Sequence, residues 1–389
     1  KDSGIELFVL DDGWFGARNN DKAGLGDWVC NETKLPGGLK AIADRCHENG
    51  IEFGLWIEPE MVNPDSDLYR AHPDWAIAVP GRAAVPSRNQ YVLDFSRKDV
   101  VEYIKKAMYD VISTSGATYI KWDMNRSITE CYSATVGAKN QGEVYHRYIL
   151  GVYKLYEKLL SVYPDILIES CASGGSRFDA GMLYYAPQAW CSDDTDAAER
   201  IYIQYGSSYG YPISSWGAHV SECPNQQLGR NTPIDTRANV AYFGAFGYEM
   251  DLNSLSDEEI EMVKKQICFM KEHRELIQFG SFYRLISPFD NKIASWMVVS
   301  PDKKQAIVGY YKLMNTVNMG YVDIKLQGLD PSLDYEIEGR DTVYGGDELM
   351  AFGIPVNEDP SVNLPAALKE ENRKLACDFG SKLFVLKAK

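Results

Sequence analysis

The chain has 389 residues, 45% hydrophobic and 24% charged, with 55 acidic against 40 basic side chains and a net charge of −15. This length holds a barrel plus one smaller domain, and the composition is that of an ordinary globular chain without a disordered tract. The acidic balance argues against nucleic acid or an anionic membrane as partner, and no apolar run reaches the roughly 18 residues that a membrane span needs.

The chain opens with Lys1-Asp-Ser-Gly-Ile5, which reads as a helix end with its Gly stop rather than a natural start. Short apolar strands then alternate with amphipathic helices. Strands are predicted at Glu6–Leu10, Glu52–Ile57, Tyr91–Phe95, Thr118–Asp123, Ile166–Ser170, Gln188–Cys191 and Ile213–Val220. Leu39, Ile42, Ala43 and Cys46 recur at helical spacing ahead of a stop at Gly50, and Ser96 is the expected cap for a helix bearing Val100, Ile104, Met108 and Val111. Tyr145, Ile149, Val152, Leu155, Tyr156 and Leu159 mark a further helix, ended by Pro164, and Ser256 with Glu259 forms a capping-box pattern before one running toward Leu276.

Such alternation implies a parallel sheet covered by helices, and chemically loaded loops after nearly every strand favour a (β/α)8 TIM-type barrel over an open doubly wound sheet. A closed barrel needs eight strands. With seven found, the first is expected upstream of Lys1, which makes this chain a piece of a longer polypeptide. From Phe282 the pattern changes to alternating segments at Ile293–Val299, Gln305–Tyr311, Tyr321–Leu326, Asp334–Glu338 and Leu383–Leu386. The expected division is therefore a barrel over residues 1–281 and a small antiparallel β domain over residues 282–389.

Eight scattered cysteines form no CxxC pair, His occurs five times, and neither HxH nor HExxH is present. No metal site is expected, and the cysteines read as free thiols in a reducing cytoplasm.

Chemistry concentrates at the strand ends. In Thr118-Tyr-Ile-Lys-Trp-Asp-Met-Asn-Arg126 the two-residue period puts Lys121, Asp123 and Asn125 on one face and Trp122 and Met124 on the other. A neighbouring ammonium is expected to keep Asp123 ionised, which suits a carboxylate nucleophile. A structural Lys–Asp pair is the bland alternative. In Ala189-Trp-Cys-Ser-Asp-Asp-Thr-Asp196, helix capping accounts for Thr195 and Asp196 but less well for Asp193, which stands at the strand tip. The pair Asp11–Asp12 needs a donor to both carboxylates, such as sugar hydroxyls or a metal ion. Trp56 suits either a sugar-site floor or the core, and Cys171 reads as a small buried residue. Gly174 and Gly175 permit close backbone approach or simply a turn. His219 is balanced between a structural and a site role.

Taken together, Leu10-Asp-Asp-Gly-Trp14, Trp56-Ile-Glu-Pro-Glu60, Lys121-Trp-Asp-Met-Asn125, Cys171-Ala-Ser-Gly-Gly-Ser-Arg-Phe178 and Cys191-Ser-Asp-Asp-Thr-Asp196 resemble, in order, the motifs of glycoside hydrolase family 36, the α-galactosidases. The resemblance spans most of residues 1–250. It implies a retaining enzyme that hydrolyses terminal α-linked galactose, as in raffinose or melibiose, with no cofactor and commonly as a tetramer. It makes Asp123 the nucleophile and Asp193 the acid/base, and it puts Asp11 and Asp12 on the galactose 4- and 6-hydroxyls. Trp56, Arg88, Lys121, Asn125, Cys171 and Gly174 become further sugar contacts. Ser176 stands where the family motif has a third glycine, and the family's large N-terminal β domain is not visible. Galactosyl transfer, α-N-acetylgalactosaminidase activity, or carbohydrate binding without turnover are the alternatives.

Overall fold

A computed structural model describes residues 1–317, 322–356 and 378–389. Two compact units emerge, Lys1–Trp190 and Cys191–Lys389.

The first unit is built on a five-stranded parallel sheet. Its strands are β1 (Leu7–Leu10), β2 (Glu52–Ile57), β5 (Tyr119–Trp122), β6 (Leu167–Ser170) and β7 (Gln188–Ala189), in spatial order of sequence. Helices Gly38–Glu48, Lys98–Ser115 and Val144–Val162 make the crossovers, as parallel neighbours require. Leu39 and Ala43, then Val100, Ile104, Met108 and Val111, are buried as the helical spacing predicts. On Val144–Val162 the inward face carries Tyr148, and Tyr145 is exposed. Ser96 does not cap the Lys98–Ser115 helix: Arg97 holds that position, and the Ser96 hydroxyl donates to Asp94 Oδ1 at 2.5 Å.

The predicted strand at Tyr91–Phe95 does not join the parallel sheet. β2 pairs directly with β5, from Gly54↔Tyr119 to Ile57↔Trp122, so no ladder groups between them are left for an insert. Gly54 permits this closeness, because a Cβ there would stand 2.9 Å from the Tyr119 side chain. Instead β3 (Met61–Val62) and β4 (Tyr91–Val92) form a small antiparallel pair in the excursion between β2 and its crossover helix.

In the second unit a parallel pair, β8 (Gly217–Ser221) and β9 (Ala245–Glu249), is followed by helix Asp257–Phe279, whose Ser256–Glu259 capping box is present. Residues Ile213–Ser215, expected as strand, make a 3-10 turn. β9 escaped the sequence reading because Gly247 breaks its apolar pattern; a Cβ there would lie 2.7 Å from the His219 ring, so the close approach of the two strands requires glycine.

After that helix come β10 (Ser281–Ile286), β11 (Ile293–Val299), β12 (Gln305–Lys312), β13 (Asp323–Ile324), β14 (Asp334–Ile337), β15 (Val343–Gly345), β16 (Ile354–Pro355) and β17 (Ser381–Ala388). Six of them form one antiparallel sheet, ordered β10-β11-β12-β17-β14-β15. Its core includes Met297, Val308, Tyr310, Tyr335, Phe384 and Leu386. Tyr321, at the start of one predicted strand, and Cys377 lie outside the described residues. Among the described residues no helix is long and apolar enough to cross a membrane.

Candidate active site

The carboxyl ends of β1, β2, β5 and β6 carry one polar cluster, since parallel strands release their following loops on the same side of the sheet. At its centre is Asp123, directly after β5 and 5% exposed. Its Oδ1 accepts from the backbone N–H of Met124 at 2.7 Å and of Ser173 at 3.4 Å. Its Oδ2 accepts from Asn125 Nδ2 at 2.6 Å and Trp56 Nε1 at 3.1 Å. All four of these donors are uncharged. The Cys171 thiol lies alongside, and burial, reinforced by the charge of Asp123, pushes its pKa far up, so it stays a thiol.

Lys121 does not serve as the counter-ion of Asp123 that its spacing suggests. Its ammonium pairs with Asp11 Oδ2 at 2.9 Å and lies 5.6 Å from the centroid of the Trp190 ring. Burial opposes its charge, but Asp11 and Glu169 outweigh burial and hold it protonated. Asp11 and Asp12 share no single donor. Lys121 serves the first. The buried Arg18 serves both oxygens of the second, with Nη2–Oδ2 at 2.8 Å and Nε–Oδ1 at 3.0 Å.

Trp56 is 3% exposed and stacks at 6.2 Å on Phe15, within a cluster that includes Trp14 and Trp28. Core packing and a donor aimed at Asp123 thus coexist in one residue. Arg88 is exposed at the tip of a tight turn with φ 49°, followed by Asn89 at φ 60°. Ser173 (φ 50°) and Gly174 (φ 80°) give the loop after β6 the left-handed kink that turns the Ser173 N–H toward Asp123.

Several residues of this cluster were not singled out from the sequence. Arg18 lies in a loop without periodicity, and only its charge beside two aspartates hinted at a role. Glu60, 0% exposed, takes a two-pronged ion pair from Arg177 (2.8 and 3.0 Å), a hydrogen bond from Trp122 Nε1 (2.9 Å) and another from the Tyr148 hydroxyl. This arrangement anchors the loop after β6, whose Ser173 N–H reaches Asp123. Glu58, also fully buried, accepts from the Asn125 backbone N–H, and burial together with the charge of Asp123 raises its pKa to about 8.

Asp193 belongs to the second unit. It is exposed at the start of the loop ahead of helix Ala197–Ser207, and its carbonyl accepts from Gln227 Nε2 at 3.0 Å. Asp196 is the N-cap, accepting from the N–H groups of Ala198 and Glu199, and is paired with Arg230 at 2.5 Å. Thr195 is no cap: its hydroxyl accepts from Asn225 Nδ2. His219 faces Glu249, with Nδ1 at 3.2 Å.

Comparison with known proteins shows which family and fold these residues belong to. The sequence family described as Melibiase matches residues 1–280, and that described as Glycosyl hydrolase family 36 C-terminal domain matches residues 293–386. Alpha-galactosidase AgaA of Geobacillus stearothermophilus is 52% identical over 351 residues, which cover 90% of this chain and 48% of that protein. Alpha-galactosidase Mel36A of Lactobacillus acidophilus is 50% identical, covering 91% and 48%. The chain thus spans about half the length of the curated relatives it matches. The crystal structure of AgaA superposes with a TM-score of 0.93 at 49% identity, over 100% of this chain and 52% of that one. That of the Lactobacillus brevis alpha-galactosidase gives 0.94, again at 49% identity, over 100% and 51%. The fold is that of these proteins, a TIM-type (β/α) barrel followed by an antiparallel β domain.

Proposed function

Because the chain belongs to glycoside hydrolase family 36, we propose that it carries the catalytic site of a retaining α-galactosidase acting on small α-galactosides of the raffinose and melibiose type. The observation that carries the reading is the buried Asp123 carboxylate at the end of β5, held by four neutral N–H donors beside two oriented acidic side chains.

In this mechanism Asp123 attacks the anomeric carbon while the protonated Asp193 donates to the leaving glycosidic oxygen. The C–O bond to the aglycone breaks as the ester to Asp123 forms. Asp193, now a carboxylate, then takes a proton from water, whose oxygen displaces Asp123 and regenerates the original anomer. Asp11 and Asp12 accept from the galactose 4- and 6-hydroxyls, their carboxylates aimed by Lys121 and Arg18. Trp56, Arg88, Asn125, Cys171 and Gly174 complete the first subsite, and the small Cys171 leaves room for an unsubstituted 2-hydroxyl. Relatives lend support: AgaA crystals hold raffinose in a variant with one Asp-to-Asn substitution and stachyose in a variant with one Asp-to-Ala substitution. The two replaced aspartates of that chain are separated by as many residues as Asp123 and Asp193 are here.

The proposal extends to the domains, 1–281 and 282–389, supported by family matches that end at 280 and begin at 293. A cytoplasmic location is supported by the scattered spacing of the eight cysteines, none in a CxxC pair, and assembly into a homo-oligomer by family resemblance alone. Hydrolysis of 4-nitrophenyl α-galactoside, with the first-formed sugar anomer followed by NMR, tests the activity. Release of β-galactose first, or no release at all, would defeat the reading.

A further inference from the structure

Asn63 follows β3 and is 0% exposed. A primary amide has two N–H donors and two lone pairs on its oxygen, and here all four are used. Asn63 Oδ1 accepts from Arg18 Nη1 at 3.3 Å and from the Leu25 N–H at 2.8 Å. Its Nδ2 donates to the Asp21 carbonyl at 3.3 Å and to the Asn89 carbonyl at 2.8 Å. One side chain therefore joins two loops remote in sequence. The first, residues 17–25, carries the guanidinium that grips both oxygens of Asp12. The second is the turn closed by reciprocal bonds between Ser87 and Gln90, with Arg88 and Asn89 both left-handed.

Two successive positive φ angles define the turn type whose central positions suit Asn and Gly, and arginine is a poor occupant. A non-glycine residue persists there only where its surroundings over-determine the conformation. At Asn89 they do: its carbonyl is held by Asn63 and its side-chain amide donates to Asp21 Oδ2 at 3.1 Å. Within the described residues the Arg88 guanidinium is engaged by no hydrogen bond or ion pair, so the backbone turn alone sets its direction.

We propose that Asn63 is a positioning residue that couples the Asp12–Arg18 arm of the sugar site to the Arg88 turn, so that both grip the substrate as one unit. The inference rests on the α-galactosidase reading, in which Asp12 and Arg88 touch sugar. It assigns to a buried amide, itself out of contact with substrate, control over substrate affinity.

The test is a double-mutant cycle on 4-nitrophenyl α-galactoside turnover. Asn63→Asp preserves the acceptor oxygen for Arg18 and Leu25 but sets an oxygen against the carbonyls of Asp21 and Asn89. We expect KM to rise about tenfold or more with kcat changed less than about threefold, and Arg88→Ala, costly alone, to add less than about twofold in that background. Asn89→Ala keeps the buried amide intact while removing the bond to Asp21 and the preference for the turn. It should raise KM in the same direction and show the same non-additivity with Arg88→Ala. Additive losses in both cycles, or lower kcat with unchanged KM, would overturn the coupling while leaving the enzyme reading untouched. Failure of the unmutated protein to turn over the galactoside would instead overturn that reading itself.

Discussion

Glu58→Gln should make the protein more stable in alkaline buffer, and the reason lies in where its proton sits. Glu58 is fully buried, and burial first, then the charge of Asp123, raises its pKa from 4.5 to about 8, with Arg18 opposing. Between those two values the folded protein keeps a proton that the unfolded chain has released. Stability contributed at this site is therefore fully present below pH 4.5, falls as pH rises, and levels off above pH 8. At about 1.4 kcal/mol per unit, the difference amounts to roughly 5 kcal/mol at pH 9, an upper bound because buried sites relax and admit water. The geometry fits a neutral acid. Glu58 Oε1 accepts from the Asn125 N–H, Gln90 Nε2 stands 3.3 Å from Oε2, and the buried Gln90 Oε1 has no hydrogen-bond partner among the described residues. Turning the Gln90 amide over lets a protonated Oε2 donate to that oxygen, and a glutamine at position 58 does the same with its N–H. Urea unfolding of both proteins at pH 5, 7 and 9 measures the effect. The variant should be about as stable as the parent at pH 5 and more stable by several kcal/mol at pH 9. A difference that stays constant across the three pH values would refute the neutral-acid argument.

Asp123→Ala is expected to lower kcat/KM for α-galactosides by roughly a thousandfold or more with the folded structure retained by circular dichroism; near-parental turnover would remove it as nucleophile. Asp193→Ala should cost natural galactosides about 10²–10⁴ in kcat and activated aryl galactosides far less, and equal losses would count against the acid/base role. Arg177→Met leaves the buried Glu60 carboxylate without its cation and should cost about 3–5 kcal/mol in urea unfolding, with a melting curve unchanged from the parent as the contrary result.

How far the sequence carried these conclusions depended on whether a feature was local. The strand Glu52–Ile57, the Ser256–Glu259 capping box and the buried stripes of the crossover helices follow from spacing alone, because strand and helix periods fix which residues share a face. The strand at Ala245–Glu249 was lost to a glycine whose purpose is a contact with His219, across 28 residues of chain. Tyr91–Phe95 has the composition of a barrel strand, and only the direct β2–β5 pairing shows that no slot exists for it.

The same limit governed the site. Periodicity correctly set Lys121 and Asp123 on one face, yet a shared face does not determine a partner. Lys121 reaches Asp11 on the loop after β1, because the order β1-β2-β5 leaves a single strand between them. The consequence bears on the chemistry. A cation bonded to the carboxylate would stabilise its charged ground state and weaken it as a nucleophile, since that charge is spent when the ester forms. Neutral N–H donors fixed by backbone and by the packed Trp56 orient Asp123 with a smaller ground-state stabilisation. In the proposed mechanism the ammonium instead serves recognition through Asp11. Within that proposed mechanism, the division of labour between a carboxylate that reacts and two that bind is thus set by which donors are charged, Lys121 and Arg18 on the binding pair and none among the four on Asp123.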